Sequence, residues 1–243
     1  MDPCIVTPGQ QQTLDLEHLN LKFDAAHPKS ILTWCLETIP TGLIQSTAFG
    51  ASGMVILDLL YRDLNPDPGI PVLFLDTLHH FPETLQLAEN AKAHYGLDLH
   101  VFRPQGVESR AAFAEKYGEQ LWQKDIEQFH QLTKVEPLQR GLQMLNVSSW
   151  ITGRRRDQSS TRAKMPIFEG DRQGRLKINP LANWTYKEVW NYLVGNQVLY
   201  NPLYDQGYAS IGDEPITTTT NHGEEERAGR WRGMARTECG MHA

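Results

Sequence analysis

Apolar residues in this chain gather into strand-length runs, and each run gives way to a stretch whose apolar positions recur at helical spacing. Residues 43–49 form one such run, which the small residues Gly50-Ala51-Ser52-Gly53 turn into an apolar helix over 54–61. Residues 71–77 form a second, with the acid Asp76 near its end, and Phe81-Pro82-Glu83-Thr84 open a helix that reaches Tyr95. A third run over 97–102 precedes a helix over 109–117, and a fourth over 147–153 leads straight into Arg154-Arg155-Arg156-Asp157-Gln158-Ser159. Further helices are predicted over 30–39, with Ser30 as N-cap and Pro40 as stop, and after Trp184, with Thr185 in a cap-like position. Residues 134–138 lead into another helix, 176–180 read as a short strand, and 122–130 carry no clear pattern.

Strands and helices in alternation require right-handed crossovers and a parallel sheet covered on both faces. The predicted fold is therefore α/β, Rossmann-like and doubly wound. In it, the strands over 43–49 and 147–153 deliver a small-residue loop and an arginine cluster to the same edge. Residues 1–28 form a weakly patterned appendage in which Leu14, Leu16, Leu19 and Leu21 predict a short helix. The α/β domain spans 29–210. Residues 211–243 are polar and rich in small residues, a tail expected to be mobile and able to close over a ligand.

At 243 residues and 40% hydrophobic content the chain can bury one sizeable core. It has no run of about 18 apolar residues, and Met1-Asp2-Pro3-Cys4 lacks the basic flank and apolar stretch of a signal peptide, so a cytoplasmic location is expected. The formal net charge of −6 argues against a protein dedicated to long nucleic acids. Basic residues are nonetheless clustered, at Arg154-Arg155-Arg156 and at Arg227, Arg230, Arg232 and Arg236, a pattern suited to a small polyanion. The three cysteines, Cys4, Cys35 and Cys239, lie too far apart for a C-x-x-C pair. Cys35 falls in an apolar run and reads as a small core residue. Cys239, near His242 and downstream of several arginines, is placed as a nucleophile that reaches toward an anion.

The segment 46–53 reads either as an ordinary turn from strand to helix or as a phosphate cradle made by N–H groups at a helix N-terminus. Asp76, His79 and His80 follow a strand end, where ligands of open α/β sheets collect, and read either as nucleotide contacts or as loop residues. The arginines after residue 153 are either a solvated surface or an anion site, and their position directly after an apolar strand favours the second.

Together, Thr47-Ala48-Phe49-Gly50, Phe74-Leu75-Asp76-Thr77, Thr152-Gly153-Arg154-Arg155-Arg156-Asp157-Gln158-Ser159, Gly207-Tyr208-Ala209-Ser210-Ile211-Gly212, Glu226-Arg227-Ala228-Gly229-Arg230-Trp231 and Glu238-Cys239-Gly240-Met241-His242 resemble the thioredoxin-dependent phosphoadenylyl-sulfate (PAPS) reductase family, most closely its fungal members. The resemblance implies an adenine-nucleotide α-hydrolase-like fold with a catalytic C-terminal tail. It carries substrate binding to Ser46, Thr47, Ala48, Phe49, Gly50, Ser52, Asp76, Thr77, Gly153, Arg155, Arg156, Gln158 and Trp231. Arg227, Arg230, Lys134 and His242 are placed around the sulfate end and Cys239 as nucleophile, while Arg154 is an extra charge without a set duty. Arg162 and residues 217–220 are weaker candidates for the 3′-phosphate.

Related adenylyl-sulfate (APS) reductases hold a [4Fe–4S] cluster on two cysteine pairs. The corresponding positions here read Phe129-His130 and Asp213-Glu214-Pro215-Ile216, and three cysteines cannot supply four thiolates. The expectation is a cofactor-free, metal-free enzyme that takes electrons from reduced thioredoxin or glutaredoxin through an S-sulfocysteine and works as a homodimer. A cluster-free APS reductase is the alternative. An ATP-dependent adenylating enzyme is disfavoured because Thr47-Ala48-Phe49-Gly50-Ala51-Ser52 departs from that group's Ser-Gly-Gly-x-Asp-Ser loop.

Overall fold

The computed structural model describes residues 5–6, 13–234, 236, 238, 240 and 241. Among them, β1 (Ile5–Val6) and β2 (Thr13–Leu14) form a separate antiparallel ribbon. There follow α1 (Leu16–Phe23), α2 (Pro28–Thr38), β3 (Leu43–Thr47), α3 (Ala51–Asp58), β4 (Val72–Leu75), α4 (Pro82–Tyr95), β5 (Leu99–Phe102) and α5 (Arg110–Tyr117). The short α6 (Leu121–Lys124) and α7 (Ile126–His130) lead through a wide turn into α8 (Glu136–Met144), then β6 (Ser149–Ile151), β7 (Phe168–Gly170), β8 (Leu176–Ile178) and α9 (Tyr186–Gly195). The main sheet has six strands in the order β5-β4-β3-β6-β8-β7, parallel throughout except that β7 runs antiparallel to β8.

Side chains of a strand point alternately to opposite faces, so a strand covered on both sides must be apolar at every position. Along β4, Val72 and Phe74 enter a large core with Leu87 and Ala91 of α4 and Val189 and Leu193 of α9. Leu73 and Leu75 enter a second core with Leu138 and Leu142 of α8 and Trp150 of β6. The doubly wound prediction therefore holds, because both sets are buried. Cys35, fully buried in the larger core, is a packing residue whose thiol burial pushes well above the usual range. Residues of α1 join the same core: Leu19 and Phe23 are buried, and the Asn20 amide exchanges hydrogen bonds of 2.8 and 2.9 Å with the Phe168 backbone on β7.

Boundaries differ from the sequence reading where local chemistry intervenes. α2 begins at Pro28 rather than Ser30, since His27 caps it by accepting from the Lys29 N–H at 3.2 Å and proline suits a first helical position. α3 begins at Ala51, three residues earlier than the pattern suggested, and continues as a wide turn over Leu59–Leu64. Residues 122–130 are helical because Trp122 and Phe129 pack edge-on against buried His79. The edge strand β7 escaped notice because Glu169 and Gly170 break its apolar pattern. Thr185 caps α9 as read, and Glu188 completes a capping box with it.

Candidate active site

β3 and β6 are parallel neighbours, and the chain leaves them toward opposite edges of the sheet, β4 on one side and β8 on the other. Loops after such a pair diverge and leave a crevice at the strands' carboxyl ends. A cavity of about 220 Å³ lies there. Its floor is the pair of loops, held backbone to backbone: a Cβ on Gly153 would lie 3.1 Å from the Gly53 nitrogen, and one on Gly53 would fall on the Thr47 hydroxyl. Only glycine permits this approach. Tyr204 closes one side, its hydroxyl accepting from the Ala51 N–H at 3.0 Å at the start of α3.

Of the residues expected to bind or act, Ser46, Thr47, Ala48, Gly50, Ser52, Thr77, Lys134, Gly153, Gln158, Arg227, Arg230 and Trp231 all line this cavity. Four do not. Phe49 takes a left-handed backbone (φ 54°) that sends its ring into the core against Phe74, 5.2 Å between centroids. Asp76 organises the turn after β4, accepting from the Leu78 N–H at 3.0 Å and from Arg103 Nε at 2.8 Å. Arg155 is a buried strut: it donates to Ser52 Oγ at 2.6 Å and Asp157 at 3.0 Å, pairs with Glu226, and so ties the two loops together from behind. Arg156 turns outward to the Met165 carbonyl at 2.8 Å and to Asn183. The arginine that reaches the cavity wall is Arg154, paired with Glu169. Cys239 and His242, like Cys4, lie outside the described residues.

Lys134 and Asp213 form the electrostatic centre. Asp213 is fully buried, accepts from Thr77 Oγ1 at 2.8 Å and pairs with the Lys134 ammonium. Burial pushes the Asp213 carboxyl up, but Lys134, with His80 and Arg230 nearby, outweighs it and holds the group well below the usual carboxylate range. His79 and His80 are not the solvated loop residues of one reading. His79 is buried among Phe113, Trp122 and Phe129, and His80 lines the cavity with Nε2 2.8 Å from the Leu75 carbonyl oxygen. Burial lowers the pKa of both.

The segment after residue 210 is well packed as far as Trp231. Thr218 N donates to the Gly229 carbonyl at 2.8 Å and Trp231 N to Ile216 at 2.9 Å, making a short return that brings the arginines back over the cavity. Trp231 is buried beneath the guanidinium groups of Arg230 (4.7 Å) and Arg227 (5.2 Å), and its indole N–H donates to His130 Nε2 at 3.3 Å. His130 is pushed down to about 3, by burial first and by the Lys134 charge second, and so accepts as a neutral ring. Arg230 donates to the Ile211 carbonyl at 3.1 Å. The cavity thus carries Lys134, Arg154, Arg162, Arg227 and Arg230 against Asp213 and Glu226, an excess of positive charge for an elongated anion.

Sequence reasoning did not single out Asp213, Tyr204 or Glu226, all of which line the cavity, and it left Arg154 without a role. Asp213 and Glu226 stand in segments quoted above without a role of their own, and Tyr204 left no trace; which side chain turns to the cavity depends on the fold.

Over residues 42–219 the chain matches the phosphoadenosine phosphosulfate reductase domain. It is 47% identical over 229 residues to the phosphoadenosine phosphosulfate reductase of Emericella nidulans, across 93% of this chain and 74% of that one. It is 44% identical over 229 residues to the adenosine 5'-phosphosulfate reductase of Salinibacter ruber, across 93% and 88%. The crystal structure of phosphoadenylyl-sulfate reductase from Candida auris, a phosphate complex, superposes with a TM-score of 0.77 at 40% identity, covering 87% of this chain and all of that one. The chain therefore belongs to the phosphoadenosine phosphosulfate reductase family.

Proposed function

We propose that this protein reduces PAPS to sulfite and adenosine 3′,5′-bisphosphate in sulfate assimilation. The observation that carries the reading is the cationic cavity between the loops of β3 and β6, bordered by Lys134, Arg154, Arg162, Arg227 and Arg230 and approached by the chain that leads to Cys239. Fungal relatives at 46–47% identity bear the phosphoadenosine phosphosulfate reductase name, which favours the 3′-phosphorylated substrate over APS.

In this mechanism the Cys239 thiolate attacks the sulfuryl sulfur and the S–O bond to the α-phosphate breaks, releasing adenosine 3′,5′-bisphosphate and leaving Cys239–S–SO₃⁻. A thiolate of reduced thioredoxin or glutaredoxin then attacks Cys239 Sγ, and sulfite leaves with the electron pair. The donor's second thiol resolves the mixed disulfide, so two electrons pass from the dithiol to sulfur and Cys239 is restored. Lys134, Arg227 and Arg230, with His242, offset the repulsion between thiolate and substrate inside the cavity. Ser46, Thr47, Ala48, Gly50, Ser52 and Gly153 receive the nucleotide's phosphate region. No flavin, haem or iron–sulfur cluster enters the scheme, since the electrons arrive as thiols. A cytoplasmic homodimer completes the reading; no helix of the described residues is long and apolar enough to cross a membrane.

The test is Cys239→Ser with PAPS and reduced thioredoxin. Sulfite release is expected to vanish, and wild type incubated with PAPS without thiol is expected to gain a sulfite-sized mass on the Cys239 peptide. Undiminished sulfite release by the variant refutes the assignment. Comparing turnover of PAPS and APS by wild type decides the substrate.

A further inference from the structure

Both described neighbours of the Cys239 segment are anchored, and by different forces. Glu238 lies in a cluster of guanidinium groups on the cavity wall. Its Oε1 accepts from Arg162 Nε at 2.7 Å and its Oε2 from Arg162 Nη2 at 2.6 Å, a two-pronged pairing, with Arg227 Nη2 3.6 Å from Oε2. The backbone of the same residue is held from another direction, since Arg236 Nε donates to the Glu238 carbonyl at 2.6 Å while Arg236 pairs with Glu127 of α7. Two residues beyond Cys239, Met241 packs against both the α8 core and the aromatic cluster around Phe129 and Trp231. Between them Gly240 sits at φ 83°, a conformation that favours glycine.

We infer that Glu238 is a positioning residue: through the Arg162 fork it presents the Cys239 segment to the cavity, with Met241 as the second point of the mount. This inference rests on Cys239 as the nucleophile of the proposed reaction. Three features support it. Arg162 is itself buried and braced by Gln158, whose side chain also accepts from the Arg155 N–H at 3.0 Å, so the fork stands on a rigid loop after β6. A planar guanidinium paired through two nitrogens constrains direction as well as distance, which a lysine cannot do. Glu238 directly precedes Cys239 in the sequence, so an anchor at Glu238 acts one residue from the thiol.

The experiment uses the full chain with Glu238→Gln, Arg162→Lys and the double variant. Glu238→Gln keeps the shape and removes the charge; Arg162→Lys keeps the charge and removes the fork without altering the residue beside the thiol. Each single variant is expected to lose about tenfold in kcat for sulfite formation, the size of a lost charge-assisted hydrogen bond, with KM for PAPS changed less than threefold. The double variant is expected to match the singles rather than multiply them, as residues acting through one contact do. Glu238→Asp, which keeps the charge, is expected to recover part of the rate.

Trypsin cleavage after Arg236, followed by mass spectrometry without substrate, gives a readout independent of activity and of thiol acidity; both singles are expected to accelerate it about fivefold or more as the mount loosens. Wild-type kcat together with wild-type cleavage in Glu238→Gln overturns the inference, as does a double variant whose losses multiply. If wild type makes no sulfite, the functional reading fails while the cleavage result still judges the mount.

Discussion

Asp213→Asn probes the ion pair at the heart of the site. Asp213 is fully buried and the Lys134 side chain is 8% exposed, so neither charge has water to fall back on. Asparagine fits the same space and still accepts from Thr77 Oγ1, but it leaves the Lys134 ammonium without a counter-charge. Removing one partner of a buried pair costs about 3 kcal/mol. For a chain of this length that is a fall of about 6–12 °C in Tm. Urea denaturation at pH 7 measures the free energy directly. The pH dependence supplies a second signature. The unfolded Asp213 carboxyl titrates near 4, whereas the folded one is held well below the usual range, its burial outweighed by Lys134. Its contribution is therefore complete above about pH 4 and is lost as pH falls toward the folded value. The gap between wild type and variant should shrink below that pH and stay constant above it. The double variant Asp213→Asn/Lys134→Gln should recover most of the loss, because no unpaired charge remains. A variant within 1 kcal/mol of wild type at pH 7, or a gap that widens on acidification, refutes the reasoning.

Two further outcomes follow from the same geometry. Gly212→Ala places a methyl group on the Arg230 guanidinium, detaching it from the Ile211 carbonyl, and should lower kcat/KM for PAPS by about a hundredfold with far-UV circular dichroism unchanged, as loss of one preorganised charge does. Burial depresses the His130 pKa to about 3, so the unfolded state takes up a proton below pH 6.5 that the folded state refuses, and stability falls by up to about 1.4 kcal/mol per pH unit on acidification; His130→Gln should flatten that slope in denaturation curves from pH 7 to 4.5, and parallel curves would contradict the assignment of this histidine as neutral.

Much of the fold was legible because its cause is local and periodic. Apolar runs such as 71–75, buried on both sides, form central strands, and Gly53 and Gly153 mark the loops where backbones approach. The strand order and the edge strand β7 were not legible, since pairing joins residues far apart in sequence and Glu169 and Gly170 carry no apolar signal. At the site, motif spacing picked out the loops that border the cavity but not which side chains turn into it. Three consecutive arginines look alike on paper, yet only Arg154 lines the cavity, because Arg155 and Arg156 leave the backbone in other directions and find Glu226 and Asn183.

The sequence by itself determined the alternating α/β plan, the loops at one sheet edge, the family resemblance and the shortage of cysteines for a four-thiolate cluster. Each of these depends on residue type, order and count. Tertiary structure decided that Asp213 pairs with Lys134, that Phe49 turns into the core and Asp76 toward Arg103, and that Glu238 meets Arg162. Those are contacts between segments separated by tens of residues, and their direction is set by backbone dihedrals and packing that no local pattern encodes.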